Sequence, residues 1–178
     1  DLHSFPTRRS SDLLYGANFT INKPLNIITN VNTRLVGNSV QPVFTINADD
    51  TTINGFTIEN GADGVLINSA SNVKIINSII SGDNGVAISN GENVVVKDTQ
   101  IANSTNGIQV TGSRDTVIDR VNVVNSTKNG VYLKGSNGTV ISNSLFENNG
   151  VDPYFSEANN ILLDGNENTR IINNTINY

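Results

Sequence analysis

Short runs of alternating apolar and polar residues recur along this chain with a period of about 22. Ile53, Ile75, Val96, Ile118, Ile141 and Ile171 occupy equivalent positions, at steps of 22, 21, 22, 23 and 30. Asn60, Gly82, Asn103, Asn125 and Asn148 each follow seven residues behind one of the first five anchors, and Gly64, Gly85, Gly107 and Gly130 mark a further register. Each repeat holds three runs, at residues 51–53, 56–58 and 65–67 in the first, then 73–75, 78–80 and 86–88, then 94–96, 99–101 and 108–110. Residues 116–118, 121–123 and 131–133 follow, then 139–141, 144–146 and 161–163. Alternation over so few residues predicts strands, and a period of this size predicts stacked units. Residues 18–46 show the same runs with looser spacing, so they are expected to form the first one or two turns.

Asn-Gly pairs at Asn54, Asn106, Asn129 and Asn137, with Asp63-Gly64, would suit the two-residue turns of an antiparallel meander. The spacing argues otherwise. In a meander each run pairs with its neighbour in sequence, whereas like residues recurring once per repeat pair best with the next turn, Ile on Ile and Asn on Asn. Successive turns would then rise by about 4.8 Å, the strand separation of a sheet. Parallel crossovers are right-handed. The expected fold is all-β: a right-handed, three-sided parallel β-helix, or solenoid, with rungs of about 22 residues. Ile58, Ile80, Ile101, Val123, Phe146 and Ile176 should form a dry inward column. Asn60, Asn103, Asn125 and Asn148 should form an inward ladder of amides bonded from turn to turn, so that Asn125→Leu costs more than the surface change Asn166→Leu. Asp63, Asn84, Asn106, Asn129 and Asn159 should mark a bend that takes left-handed backbone.

Residues 1–13, DLHSFPTRRSSDL, match at every position the in-frame translation of a common short-read sequencing adapter, so they are read as non-native and set aside. His3 is the only histidine, and it leaves with them. Residues 14–178 are then one β-helix domain, read as a fragment of a longer protein. That part keeps 9 of 11 Lys and Arg and 14 of 16 Asp and Glu, so its net charge is still −5. No basic stripe is present to meet a nucleic acid. The 31 asparagines fall mostly between the apolar runs, where they serve turns. Absence of cysteine excludes disulfides and thiolate metal sites, and no apolar stretch reaches membrane-spanning length.

The repeat at residues 72–88, NVKIINSIISGDNGVAI, resembles the right-handed β-helix superfamily of pectate-lyase-like fold. FTINKPL at 19–25, Asn26-Ile27-Ile28 and FTINA at 44–48 resemble surface adhesin-like repeat proteins of methanogenic archaea. The superfamily holds polysaccharide lyases, galacturonan hydrolases, phage tailspikes, adhesins and carbohydrate-binding proteins, so the resemblance implies a fold more than an activity. Of the hydrolase motifs, Asn-Thr-Asp, Asp-Asp, Gly-His-Gly and Arg-Ile-Lys, only Asp49-Asp50 has a counterpart.

Candidate chemistry is sparse. The outward columns Thr52, Lys74, Val95, Val117, Val140, Arg170 and Thr57, Ile79, Gln100, Asn122, Leu145, Thr175 place no acid beside a base. The third face sets Lys134 and Asp164 on adjacent turns near Tyr132. The 30-residue step inserts roughly eight residues within NGVDPYFSEAN at 149–159, carrying Asp152, Tyr154, Phe155 and Glu157, and insertions in solenoids become loops on one face. Tyr132, Lys134, Asp152, Tyr154, Phe155, Glu157 and Asp164 are therefore the candidate ligand-binding residues. No catalytic residue, metal ligand or cofactor is expected. The expected partners are a cell-surface or extracellular polysaccharide and neighbouring coils of the parent chain. A non-catalytic stalk segment is the first reading; a fragment of a polysaccharide lyase or hydrolase whose catalytic coil lies elsewhere is the second. Of the glycosylation sequons at Asn18, Asn103, Asn125, Asn137 and Asn173, burial in the ladder is expected to hide Asn103 and Asn125.

Overall fold

The structure is a computed structural model and describes residues 15–16, 18–151, 154 and 158–178. The adapter-like residues 1–13 lie outside the described residues. Every strand pairing is parallel, and no helix occurs among the described residues. Three sheets result. The first stacks residues 26–28, 52–54, Lys74–Ile76, Val95–Lys97, Val117–Asp119, Val140–Ser142 and Arg170–Ile172. The second stacks residues 33–36, 56–59, 79–80, Gln100–Ala102, Asn122–Val124, Leu145–Glu147 and Thr175–Asn177, with Tyr15–Gly16 at its edge. Phe19–Ile21, Phe44–Ile46, residues 65–67 and 86–88, Asn106–Thr111, Asn129–Lys134 and Asn159–Asp164 make the third.

The predicted register of the first sheet holds residue for residue, whereas the Asn60 register slips by one, with Gly61 opposite Gly82. Ile53 pairs with Ile75, Ile75 with Val96, Val96 with Ile118, Ile118 with Ile141 and Ile141 with Ile171. Asn106-Gly107 and Asn129-Gly130 make no hairpin; they sit opposite each other in neighbouring parallel strands. Ile58, Ile80, Ile101, Val123 and Phe146 are buried as one column, each contributing about 1.5–3 kcal/mol of burial. Ile171 and Ile176, in the last coil, are 42% and 47% exposed.

The corners differ from expectation. Asn60, Asn103, Asn125 and Asn148 do not form the inward ladder: all four are exposed, with φ of 60°, 56°, 57° and 52°. They are the left-handed bend, a conformation asparagine tolerates better than other side-chain-bearing residues. The amide ladder runs through the corner assigned to the bend. Asn84 donates to Asp63 Oδ1 (2.8 Å), Asn106 to Asn84 (3.0 Å) and Asn129 to Asn106 (3.0 Å), and the Asn159 backbone N–H reaches Asn129 Oδ1 (3.1 Å). Asn129 is fully buried. Glycines explain the inversion: a Cβ at Gly107 would meet Val123 Cγ1 at 2.3 Å and the Gly130 carbonyl at 2.6 Å. At that corner the coils come close enough for the buried amides to pass from rung to rung. Asn166 also reverses, since its amide accepts from Ser136 N–H and donates to Leu133 O, both at 2.9 Å. The expected order of cost for Asn125→Leu and Asn166→Leu is thus overturned.

Candidate functional site

Tyr132, Lys134 and Asp164 come from neighbouring strands of the third sheet, with Tyr132 opposite Leu162 and Lys134 opposite Asp164. Alternation along residues 131–134 sends Val131 and Leu133 into the core and Tyr132 outward. The Tyr132 hydroxyl donates to Asp164 Oδ2 at 3.3 Å, and Lys134 Nζ stands 4.0 Å from the same oxygen. The Lys134 and Asp164 side chains are 58% and 55% exposed, so solvent screens the pair, which is worth at most a fraction of a kcal/mol. The phenol is thereby held at the edge of a platform whose neighbours in the same outward column are Gln109 and Leu162. Tyr154 is 93% exposed. Asp152, Phe155 and Glu157 lie outside the described residues.

A second constellation was missed from sequence. Lys97-Asp98 and Asp119-Arg120 lie one repeat apart, so the stacking that aligns Val96 with Ile118 also places Lys97 opposite Asp119. Arg120 grips Asp98 with two nitrogens, Nε at 2.7 Å and Nη2 at 3.1 Å, and reaches Asp119 Oδ2 with Nη1 at 2.6 Å. Ser142 and Asn143 each donate to Asp119 Oδ1 at 2.9 Å, and Asn173 extends the chain to Asn143. Hydrogen bonds from Asn143 and Ser142, helped by the charges of Arg120 and Lys97, hold the Asp119 carboxyl below the usual range. The bond from Arg120 does the same for Asp98. Arg120 has φ of 49°, where the equivalent corners carry Asn77, Asp98, Asn143 and Asn173. Left-handed backbone costs an arginine about 1–2 kcal/mol, and in that conformation the guanidinium meets Asp98 with two bonds. With its donors engaged, the cluster ties coils together. The signal was available: opposite charges separated by one repeat length.

The sequons also rearrange. Asn103 and Asn125 are exposed, whereas the amides of Asn137 and Asn173 are committed to Glu167 and Asn143. The expectation that Asn103 and Asn125 are hidden is therefore incorrect. No group of three or more His, Cys, Asp or Glu side chains that could hold a metal ion occurs among the described residues. No helix among them is long and apolar enough to cross a membrane.

Three parallel sheets wound coil upon coil, with polar residues on the flanks, define a parallel β-helix. The chain belongs to the right-handed β-helix region family, whose profile matches residues 41–178, and the predicted hand is that of the family. Among solved structures it is similar to the alginate lyase from Paenibacillus sp. strain FPU-7, with 19% identity and a TM-score of 0.82 over 92% of this chain and 65% of the lyase. It is also similar to the full-length tailspike protein 2 of Escherichia coli O157:H7 bacteriophage CAB120, with 19% identity and a TM-score of 0.57 over 72% of this chain and 20% of the tailspike. The chain thus spans just under two thirds of the first and a fifth of the second. At this identity the likeness is one of fold. No curated protein sequence matches.

Proposed function

We propose that this chain is a non-catalytic segment of an extracellular, adhesin-like β-helix stalk that binds a polysaccharide through its third face. The observation that carries the reading is the Tyr132–Asp164–Lys134 arrangement on an outward sheet surface. An aromatic ring offers its face to sugar C–H groups, while a carboxylate and an ammonium at its edge bond hydroxyls. Exposure favours binding over catalysis: charges in water are screened, and a group this open gains little of the field a buried proton-transfer site provides. The extracellular placement draws on the alginate lyase and tailspike that share the fold.

A second reading, a segment of a polysaccharide lyase or hydrolase whose catalytic coil lies elsewhere, draws on the overlay with the alginate lyase over 92% of the chain. One experiment separates the two. The purified chain is screened on a glycan array, its hits are titrated by calorimetry, and the same chain is incubated with polyuronate. Binding should fall about tenfold or more, roughly 1.4 kcal/mol, in Tyr132→Ala/Tyr154→Ala with an unchanged melting temperature. Binding that survives both changes refutes the site, and release of unsaturated sugars from polyuronate refutes the non-catalytic reading.

A further inference from the structure

A groove of about 390 Å³ runs along the corner between the second and third sheets, away from Tyr132 and Asp164. Its wall includes Glu59, Asn60, Asp83, Asn103, Thr105 and Thr127. With Ser39 at one end and Thr127 at the other, these residues come from five successive coils. Four coil steps of about 4.8 Å give the groove a length of roughly 19 Å along the solenoid axis. Its backbone is held in place, since Thr105 N–H donates to Asp83 O and Thr127 N–H to Ser104 O, both at 2.8 Å.

Two features mark the Asn103 end of this groove. Several left-handed asparagines bond between coils, namely Asn72 to Asp50 (3.0 Å), Asn77 to Asn54 (3.0 Å), Asn143 to Asp119 (2.9 Å), Asn168 to Asn137 (3.1 Å) and Asn173 to Asn143 (2.7 Å), and in the groove itself Asn60 accepts from Ser39 Oγ (2.7 Å) and donates to Gly37 O (3.3 Å). Asn103, which lines the groove, and Asn125 on the next coil make no side-chain hydrogen bond among the described residues. Each therefore presents two donors and an acceptor to solvent from a rigid bend, one coil apart. The second feature is charge. Glu59 and Asp83 are the charged residues of the wall, and neither lysine nor arginine lines it. Glu59 is tied to Arg34 at 3.0 Å, leaving Asp83 exposed to the groove. Burial pushes the neighbouring Asp63 carboxyl up, and the charge of Asp83 adds to the effect against the bond from Asn84.

We infer that this groove is a second glycan site, separate from the third face, which holds an uncharged, hydroxyl-rich polysaccharide chain lying along the solenoid axis. Amides and threonine hydroxyls supply bonds to sugar hydroxyls, and unbalanced carboxylate excludes uronate-bearing or phosphorylated chains. The inference does not rest on the third-face reading.

Neutral gluco- and manno-oligosaccharides and alginate oligosaccharides are titrated into the isotope-labelled full chain, with amide resonances as the readout. Neutral oligomers should shift resonances at Asn103, Thr105 and Thr127, and alginate should not. Asn103→Gly/Thr105→Val keeps the left-handed bend and the side-chain shape while removing one amide and one hydroxyl, so it should weaken binding at least tenfold with the melting temperature kept. Asp83→Lys should admit alginate. The inference is overturned if no neutral oligomer shifts those resonances, if alginate binds the parent chain more tightly, or if the double variant binds like the parent. Neutral binding lost only in Tyr132→Ala/Tyr154→Ala would overturn the groove and support the third face. Shifts that persist in the tyrosine variants would uphold the groove whatever becomes of the third face.

Discussion

Truncating Asn129 to alanine tests the relocated ladder at its most buried rung. Asn129 is fully buried; its amide donates to Asn106 Oδ1 at 3.0 Å and its oxygen accepts the Asn159 N–H at 3.1 Å. Alanine removes both bonds, but the losses are unequal. The Asn159 N–H also reaches Lys128 O at 3.0 Å and keeps that acceptor. Asn106 Oδ1, in a buried residue, loses its donor. One stranded buried acceptor costs about 1–3 kcal/mol, which for a chain of 150–250 residues lowers the melting temperature by about 2–4 °C per kcal/mol, or roughly 4–8 °C at the midpoint. Asn125→Gly is the control, because glycine takes a φ of 57° without strain and the side chain is exposed; its effect should stay within about 0.5 kcal/mol. Calorimetry and urea unfolding with an unchanged slope measure both. Equal shifts for the two variants, or a shift of under about 1 °C for Asn129→Ala, would refute the ladder's placement.

Gly107→Ala should destabilise by about 1–3 kcal/mol, because its Cβ meets the Gly130 carbonyl at 2.6 Å, and backbone cannot yield as a side chain can; a urea midpoint unchanged from the parent would contradict the packing. Asp119, held below the usual range by Asn143, Ser142, Arg120 and Lys97, adds stability that is present above its unfolded pKa near 3.8 and is lost as pH falls through its lower folded value. Asp119→Asn should therefore flatten the acid limb of a melting-temperature profile. Asp63 has the opposite sign. Burial raises its folded pKa, so its contribution is present below the unfolded value and is lost as pH rises through the folded one. Asp63→Asn should accordingly raise the melting temperature at pH 7, and a fall there would contradict the burial argument. Deleting residues 1–13 should leave the melting transition unchanged, and a large loss would make that segment a genuine cap.

The period, the three strands per turn, the parallel register and the position of the insertion were legible in the sequence, because a parallel in-register stack places each residue over its own equivalent. Ile53, Ile75, Val96, Ile118 and Ile141 reveal that without coordinates. The pairing of Lys134 with Asp164 was readable the same way, once the runs on both sides of the insertion were aligned. The Lys97, Asp98, Asp119 and Arg120 cluster obeys the same arithmetic, but its charges lie at a strand end rather than in an outward column of a sheet face. What only the tertiary structure decided is which asparagine column turns inward. Asn60, Asn103, Asn125 and Asn148 repeat as faithfully as Asn84, Asn106 and Asn129, and periodicity is blind to the sign of φ. Asn84, Asn106 and Asn129 keep strand backbone, which turns their amides along the stack, whereas Asn60, Asn103, Asn125 and Asn148 take the left-handed bend and turn theirs outward, leaving Asn103 and Asn125 in water.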